Sequence, residues 1–280
     1  MMNTSDILAF HEDDNEFSEL KVIIKRKIGF NCEQYKQAHL KRRLAVRLRA
    51  TNSKSYKEYA ALLLKNLAEE KQLKETLTVN VTELFRNPET YEAFRTTVLP
   101  ELVKSKGEDR TLKVWSAGCS NGEEPYSIAI MLAEYLGISA KRYNISIIGT
   151  DIDEDSLNKA GLGMFNPKQL EKINKERLAH FFNKKDNNYQ VTDEIHRLVT
   201  FKNHDLISGP KQSGFDIIFC RNVTIYFEQK LQEKLYFDFY NALKDGGYFV
   251  MGKTETLVGP SCKLFKHVDL KERIYQKKVN

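Results

Sequence analysis

The sequence predicts an α/β fold with a doubly wound, mostly parallel sheet, a helical N-terminal domain and a small antiparallel β insertion. In Leu112–Tyr126 a short apolar strand runs into the small residues Gly118–Gly122 and then into an apolar helix. This order is the usual nucleotide-binding corner of such a sheet. Strand and helix patterns then alternate, as they do in parallel sheets. Before the corner, from Phe17 to about Lys74, apolar residues recur at helical spacing.

The pattern also predicts the domain limits. Residues 1–16 are expected to form a flexible tail, residues 17–100 the N-terminal helical domain and linker, and residues 101–280 the α/β domain. The alternation breaks at about residues 161–200, which predicts the insertion and places two short strands in it, Tyr189–Val191 and Leu198–Phe201. The other predicted strands are Lys113–Ala117, Ile145–Thr150, Phe215–Arg221, Tyr248–Met251 and Arg273–Gln276.

Composition excludes several classes of protein. The four cysteines include no CxxC pair and the six histidines no HxxxH pair, so neither a disulfide framework nor a metal site is predicted. The polar N-terminus does not resemble a signal peptide, and no apolar run approaches the roughly 20 residues that span a bilayer. We therefore expect a soluble, cytoplasmic protein that is not inserted in a membrane. A monomer is expected as well.

The segment Tyr35–Arg49 is predicted to be a basic amphipathic helix. Leu40, Leu44 and Leu48 repeat every four residues and would form its buried stripe. The net charge of the chain is only +6, yet this segment carries six basic residues and no acid: Lys36, Lys41, Arg42, Arg43, Arg47 and Arg49. They form either a solvated face or a docking face for an acidic partner. Nucleic acid is a weaker alternative, because no aromatic platform accompanies the charge.

The corner itself carries an acidic pair, Glu123 and Glu124, before Pro125 opens the helix. Two carboxylates would repel a phosphate, whereas a phosphate-binding corner offers bare N–H groups to an anion. They would suit a cofactor with an amino group or a sulfonium, which favours S-adenosylmethionine over NAD or ATP. The alternative is that both simply stabilise the N-terminus of the helix. The glycine pattern is not GxGxxG, so a dinucleotide fingerprint is not supported.

Further polar residues follow the ends of predicted strands, where ligands bind in this architecture. Asp151 could accept hydrogen bonds from ribose hydroxyls or cap the next helix. Asp205 and Leu206 could line an adenine pocket. Arg221 and Asn222 follow the Phe215 strand. Tyr226, a little further on, could donate a hydrogen bond to a substrate or simply pack against its apolar neighbours.

Four segments in this order resemble one known family. They are NVTELFR (Asn80–Arg86), WSAGCSNGEEPYS (Trp115–Ser127), GTDID (Gly149–Asp153) and FDIIFCRNVTIYF (Phe215–Phe227). Together they resemble the chemotaxis receptor methyltransferases, the CheR family, over about residues 17–277. The resemblance implies a seven-stranded methyltransferase sheet and an S-adenosylmethionine-dependent protein-glutamate O-methyltransferase without a metal. Such enzymes methylate glutamates on the cytoplasmic helices of bacterial chemoreceptors for chemotactic adaptation and release S-adenosylhomocysteine.

The resemblance also implies roles for individual residues. Arg86 and Tyr226 would lie nearest the transferred methyl group, and the basic helix, through Lys41, Arg42, Arg43, Arg47 and Arg49, would dock on the receptor. The implied cofactor contacts are Asn80, Thr82, Arg86, Glu123, Asp151, Asp205, Leu206, Arg221 and Asn222.

The chain departs from the family pattern at three places. Many members have Asn at position 205, an apolar residue at position 224 and GHSE where this chain has Gly252–Glu255. The insertion resembles a small β-subdomain that holds a receptor C-terminal peptide in some members. Two alternatives remain: an interaction protein that binds the cofactor but has lost transfer, and a methyltransferase for small molecules or nucleic acid.

Overall fold

The computed structural model describes residues 13–78, 80 and 82–279. These residues form two compact units. The first unit contains the described residues up to Asn80, together with Tyr226–Glu228. The second unit contains the described residues between Asn80 and Tyr226 and those from Gln229 onward. No helix within the described ranges is both long and apolar enough to cross a membrane.

The first unit is a helical domain built around one apolar core. Its helices are α1 (Asp14–Ile28), α2 (Gln37–Ala50), α3 (Tyr56–Leu63) and α4 (Leu67–Leu77). The side chain of Asp13 caps α1 by accepting the N–H groups of Asn15 and Glu16. The helix therefore begins inside the segment that the sequence assigned to a flexible tail. Residues 1–12 of that predicted tail lie outside the described residues.

The core of the first unit fixes the orientation of α2. Leu40, Leu44 and Leu48 are buried, as their spacing predicts, and they pack with aromatic side chains that include Phe17 and Tyr59. The predicted buried stripe of the basic helix is therefore present.

Residues 226–228 also belong to this unit. The backbone N–H of Lys36 donates to the carbonyl oxygen of Tyr226 at 2.9 Å, and the N–H of Glu228 donates to that of Gln34 at 3.1 Å. The ring of Tyr35 packs edge-on against Phe227. This short segment is therefore held at the start of α2.

The second unit begins with helices and continues as an α/β domain. Its helices are α5 (Pro88–Ala93), α6 (Leu99–Lys106), α7 (Glu123–Leu136), α8 (Glu154–Leu162), α9 (Lys175–Phe181), α10 (Asp193–His196) and α11 (Gln229–Ala242), with a π-helical turn at Phe94–Val98. Its strands are β1 (Thr111–Ala117), β2 (Asn144–Asp151), β3 (Met164–Phe165), β4 (Phe182–Lys185), β5 (Asn188–Val191), β6 (Val199–Asn203), β7 (Phe215–Cys220), β8 (Leu243–Met251), β9 (Phe265–Asp269) and β10 (Ile274–Lys277).

Seven strands form the main sheet, in the order β6-β2-β1-β7-β8-β10-β9. The first five are parallel, and β10 is antiparallel to both of its neighbours. All six residues of β7 are buried, as expected of a central parallel strand covered on both faces. Because β1 lies between β2 and β7, the ends of these three strands meet at the switch point where ligands bind. The predicted doubly wound, mostly parallel seven-stranded sheet is confirmed.

The small antiparallel β insertion is present as a separate sheet in the order β3-β5-β4. Its strands lie between Met164 and Val191, a narrower span than the predicted residues 161–200. The predicted strand Leu198–Phe201 corresponds to β6, and its assignment to the insertion is wrong, because β6 pairs in parallel with β2 in the main sheet. The strands β3, β4 and β9 were not predicted from the sequence. Tyr91, Phe94 and Val98 pack in the core of the second unit, whereas the sequence placed residues 17–100 in the N-terminal helical domain and linker.

Candidate active site

The glycine corner after β1 is tied to the end of β2. The N–H groups of Gly118 and Cys119 donate to the carbonyl oxygen of Thr150 at 2.8 and 2.9 Å. The N–H of Ser120 donates to Asp151 Oδ2 at 2.8 Å. Gly118 has a φ of 78°, and a Cβ added there would come within 2.5 Å of a methyl group of Val223. The corner therefore needs glycine at this position, and it lies against the turn that follows β7.

Asp151 lies at the end of β2, where the sequence placed it. Its second carboxylate oxygen accepts the N–H of Asp153 at 3.0 Å, and Asp153 caps α8 by accepting the N–H of Asp155. The capping role considered for Asp151 therefore belongs to Asp153. Burial raises the pKa of Asp151. Each of its oxygens keeps a lone pair that could accept a ligand hydroxyl.

Glu123 is a buried carboxylate that the protein satisfies only in part. Its side chain is 1% exposed, and burial raises its pKa. Oε1 accepts an N–H from Gln169 at 3.2 Å, whereas Oε2 has no hydrogen-bond partner among the described residues. A buried carboxylate oxygen without a donor is costly. An ammonium group supplied by a ligand would satisfy it.

Glu124, the other member of the acidic pair, has partners inside the protein. The hydroxyl of Ser116 donates to its Oε1 atom at 2.7 Å, and Oε2 lies 3.7 Å from the guanidinium of Arg221. Burial raises the pKa of Glu124, and the charges of Arg221 and, more weakly, Arg86 oppose that shift. Glu123 and Glu124 therefore have different tasks, since only Glu123 keeps an unsatisfied oxygen.

Arg221 links β7 to the loop that carries Arg86. It is 6% exposed, and its Nη2 atom donates to the carbonyl oxygen of Arg86 at 2.7 Å and to Asn87 Oδ1 at 3.1 Å. Its guanidinium also lies over the ring of Tyr91, 5.3 Å from the centroid. The sequence predicted a direct cofactor contact for Arg221. Its described contacts hold the Arg86 loop, and the direct cofactor contact stays a prediction.

The backbone on both sides of Arg86 adopts the left-handed conformation. The φ angles are 52° for Phe85 and 56° for Asn87, and the N–H of Phe85 donates to the hydroxyl of Ser127 at 2.8 Å. Such residues cost of order 1–3 kcal/mol each and persist where the surroundings fix them, often at functional sites. Thr82 precedes this loop and is half-buried.

Asp205 and Leu206 lie just beyond β6. Asp205 accepts the N–H of Ile207 at 2.9 Å and the hydroxyl of Ser208, which orders the loop. It also lines a cleft of about 390 Å³ together with Thr150 of β2. Leu206 lines a smaller adjoining cavity beside Trp115.

Buried polar atoms without a described partner concentrate around this edge of the sheet. They include Ser120 Oγ, Asn121 Oδ1, Glu123 Oε2, Arg221 Nε and Asn222 Oδ1. Buried polar atoms are normally hydrogen-bonded, so such a cluster indicates a polar ligand that supplies the missing partners. A carboxylate for an ammonium group, an aspartate for ribose hydroxyls and a cleft beside it fit S-adenosylmethionine.

Tyr226 and Asn80 belong to the first unit. The ring of Tyr226 contacts that of His39 of α2, with centroids 4.4 Å apart. Burial and the neighbouring Arg43 and Arg42 lower the pKa of His39 to about 4, so the imidazole is neutral at physiological pH. Asn80 is half-buried at the end of this unit.

The basic side chains of α2 are not equivalent. Arg47 donates to both carboxylate oxygens of Glu69 at 2.9 and 2.6 Å, and the hydroxyl of Tyr59 donates to the same carboxylate at 2.6 Å. Arg47 is therefore an internal residue of the helical unit, in contrast to its predicted docking role. Arg42 and Arg49 are exposed, whereas Lys41 and Arg43 are half-buried.

Two residues near the site were given no role by sequence reasoning. Gln169 contacts Glu123 and sits in a capping box with Asn166, which the N-P-x-Q pattern could have indicated, although not its contact with Glu123. Glu255 accepts hydrogen bonds from the turn after β7, and nothing in the local sequence indicates that contact. Within the described part of the chain, no three potential metal ligands cluster.

Two family descriptions match the chain in succession. The all-alpha domain of the CheR methyltransferases matches residues 15–78, and their S-adenosylmethionine-binding domain matches residues 80–274. The second match contains the corner, the end of β2, the Arg86 loop and the end of β7.

Curated relatives are similar in sequence to this protein over most of its chain. A chemotaxis protein methyltransferase of Listeria innocua is 32% identical over 240 residues, which cover 85% of this chain and 89% of the relative. The chemotaxis protein methyltransferase of Borreliella burgdorferi is 32% identical over a match that covers 88% of this chain and 89% of the relative. Chemotaxis protein methyltransferase 2 of Vibrio cholerae is 31% identical over a match that covers 87% of this chain and 86% of the relative. The chain therefore belongs to the CheR family and is an S-adenosylmethionine-dependent methyltransferase of chemotaxis.

Proposed function

We propose that this methyltransferase acts on glutamate side chains in the cytoplasmic helical region of bacterial chemoreceptors and forms methyl esters there. The observation that carries the proposal is the Arg86 loop. Its backbone is strained on both sides of Arg86 and is held by the buried Arg221 through the Arg86 carbonyl oxygen, which supports a positioned guanidinium in the loop that follows Thr82. A planar guanidinium is well suited to hold a carboxylate through two parallel hydrogen bonds.

The proposed reaction depends mainly on the alignment of the substrate carboxylate with the methyl group. Bound S-adenosylmethionine supplies an electrophilic methyl group on a sulfonium. A glutamate carboxylate is already ionised at neutral pH, so the acceptor needs no general base. Orientation of reactants can lower such a barrier by roughly 7–11 kcal/mol. In this proposal Arg86 and Tyr226 orient the substrate carboxylate.

The remaining residues have assigned roles in the proposal. Glu123 takes the amino group of the cofactor, Asp151 its ribose hydroxyls, and Asp205 and Leu206 its adenine. Arg221 acts through the Arg86 loop. Further contacts are assigned to Asn80, Thr82 and Asn222. The product is S-adenosylhomocysteine, and no metal takes part. The proposal places the protein in the cytoplasm as a monomer.

The receptor is proposed to dock on the exposed face of α2. Opposite charge steers association with an acidic helical bundle. Arg42 and Arg49 contribute most because they are exposed, Lys41 and Arg43 contribute less, and Arg47 supports the helix through Glu69.

Reversing the exposed charges of α2 should weaken receptor methylation. With Arg42→Glu and Arg49→Glu together, kcat/KM for a receptor fragment should fall at least about tenfold at low salt, because charge steering alone changes association rates by 10-fold or more. The loss should shrink as salt is added. The matched control, Lys57→Glu with Lys65→Glu, makes the same charge change at exposed positions outside α2. Equal losses in both variants would contradict a specific docking face.

Glu123 should make cofactor binding depend on pH. Calorimetry with S-adenosylhomocysteine should show about 10- to 100-fold weaker binding for Glu123→Gln at pH 8, because hydrogen bonds to a charged group contribute about 1.5–3 kcal/mol. Burial raises the pKa of Glu123, so the wild-type carboxyl takes up a proton as pH falls. The ratio of the two dissociation constants should then approach one at low pH. A ratio that does not change with pH would show that Glu123 does not bind as a charge.

One assay tests the proposal as a whole. The protein is incubated with methyl-labelled cofactor and receptor cytoplasmic fragments, and base-labile methyl esters are measured. Fragments with Gln at the acceptor glutamates serve as the control and should take up no label. If several receptors remain unlabelled while the cofactor binds, the protein is a cofactor-binding interaction protein. Label on a small molecule or nucleic acid in place of the fragment would indicate the other alternative.

A further inference from the structure

A single buried carboxylate closes the turn that follows β7. Glu255, four residues beyond β8, faces the backbone N–H groups of residues 222–225. Its Oε1 atom accepts those of Val223 at 3.1 Å, Thr224 at 2.8 Å and Ile225 at 3.3 Å. Its Oε2 atom accepts that of Asn222 at 2.7 Å. Four successive N–H groups therefore converge on one side chain.

Two more donors complete the arrangement. The hydroxyl of Thr224 donates to Oε1 and the N–H of Gly252 donates to Oε2, both at 2.7 Å. Glu255 is 3% exposed. Hydrogen bonds to an ionised acceptor are shorter and roughly twice as strong as neutral ones. The turn is thus built around one buried carboxylate that accepts six hydrogen bonds.

Neutral glutamine cannot reproduce these contacts. It has nearly the shape of glutamate, but one of the two oxygen positions is taken by an amide nitrogen that carries two N–H donors. That nitrogen would face the N–H groups of either Asn222 and Gly252 or residues 223–225. In either orientation some backbone N–H groups of the turn stay buried without an acceptor, which costs about 1–3 kcal/mol for each group.

The backbone that Glu255 holds is both strained and tightly packed. Asn222 has a φ of 60°, in the left-handed region. A Cβ added to Gly252 would lie 2.8 Å from the N atom of Asn222 and 2.7 Å from Glu255 Oε2. On its other side the turn meets the glycine corner, through the contact between Gly118 and Val223. A small displacement of the turn would therefore disturb the corner.

We propose that Glu255 is a positioning residue for methyl transfer, which acts by fixing the backbone of residues 222–225. The inference rests on the proposed role of Asn222 at the cofactor, and Tyr226 follows the turn directly in the chain. A merely structural Glu255 would change stability alone. A positioning Glu255 also changes kcat and cofactor affinity of the molecules that remain folded.

The test compares Glu255→Gln with Asp216→Asn in the full chain. Asp216 lies at the opposite end of β7 and is also buried, and it accepts the N–H of Lys113 at 2.8 Å and pairs with Lys106 at 2.6 Å. The control thus removes a comparable buried carboxylate away from the site. The measurements are kcat and the KM for S-adenosylmethionine with a receptor fragment, the Kd for S-adenosylhomocysteine, and the folded fraction.

Per folded molecule, Glu255→Gln should lower kcat about 100-fold, the size expected when reacting groups are misplaced by about 1 Å. It should also weaken S-adenosylhomocysteine binding about tenfold, the loss of roughly one hydrogen bond. Asp216→Asn should change neither by more than about twofold, within the usual effect of distant substitutions. Equal kcat and Kd values in both variants, after correction for the folded fraction, would overturn the proposal. If the wild type does not methylate the fragment, the proposed substrate is wrong, and the Kd comparison still decides the role of Glu255.

Discussion

Replacing Arg221 with Met should lower the free energy of unfolding of the second unit by about 3–5 kcal/mol, the usual cost of removing one partner of a buried ion pair. The substitution leaves Glu124 buried without its counter-charge and frees the Arg86 carbonyl and Asn87 from their donor. Met has a similar volume, so a cavity contributes little. Trp115, the single tryptophan, is buried in β1, and its fluorescence during denaturant unfolding reports on this unit.

The pH dependence identifies the cause of that loss. Without Arg221, burial raises the pKa of Glu124 further above its value in the unfolded chain. A carboxyl whose folded pKa is raised costs stability as pH rises above its unfolded pKa of about 4.3. The difference between Arg221→Met and wild type should therefore grow from pH 4 to pH 7. Adding Glu124→Gln should recover much of the stability and remove that pH dependence. A double variant as unstable as Arg221→Met would show that the lost loop contacts dominate.

The sequence predicted the corner, the strand ends and the buried stripe of α2, because each depends on local patterns. Gly118 is needed for a turn and a close contact, and Asp151 is the last residue of the apolar strand β2. Parallel pairing then brings such strand ends together whatever the intervening helices are. The positions of most proposed site residues in the second unit follow from this rule.

The tasks of individual charged residues could not be predicted in the same way. Arg221 pairs with Glu124, 97 positions earlier in the chain, and holds the Arg86 loop, contacts that only the folded sheet creates. Arg47 has the same charge and spacing as its neighbours on α2, but Glu69 of α4 makes it internal. The strand β6 was assigned to the insertion because it comes soon after β4 and β5 in the chain. Its true neighbour is β2, about 50 positions earlier, and the sequence near β6 does not indicate that pairing.

Arg86→Ala should lower kcat about 100- to 1,000-fold at saturating cofactor, because it removes a preorganised donor at the reacting centre. Tyr226→Phe should cost about tenfold, the loss of one hydrogen bond. Arg86→Lys keeps the charge but not the planar fork, so its kcat should lie between those of wild type and Arg86→Ala. Single-turnover methylation of a receptor fragment, with the cofactor affinity of each variant measured separately, gives these values.

The control for Arg86 is Arg95→Ala, since Arg95 is a surface arginine paired with Glu92 three residues earlier. It should keep kcat within about twofold, because surface ion pairs contribute little. If Arg86→Ala weakens cofactor binding but keeps the wild-type kcat once the cofactor saturates, Arg86 holds the cofactor and does not orient the carboxylate. The strained backbone around Arg86, held through its carbonyl oxygen by the buried Arg221, favours a large loss of kcat in Arg86→Ala, because in-line attack by a carboxylate depends on a fixed orientation of the reacting groups.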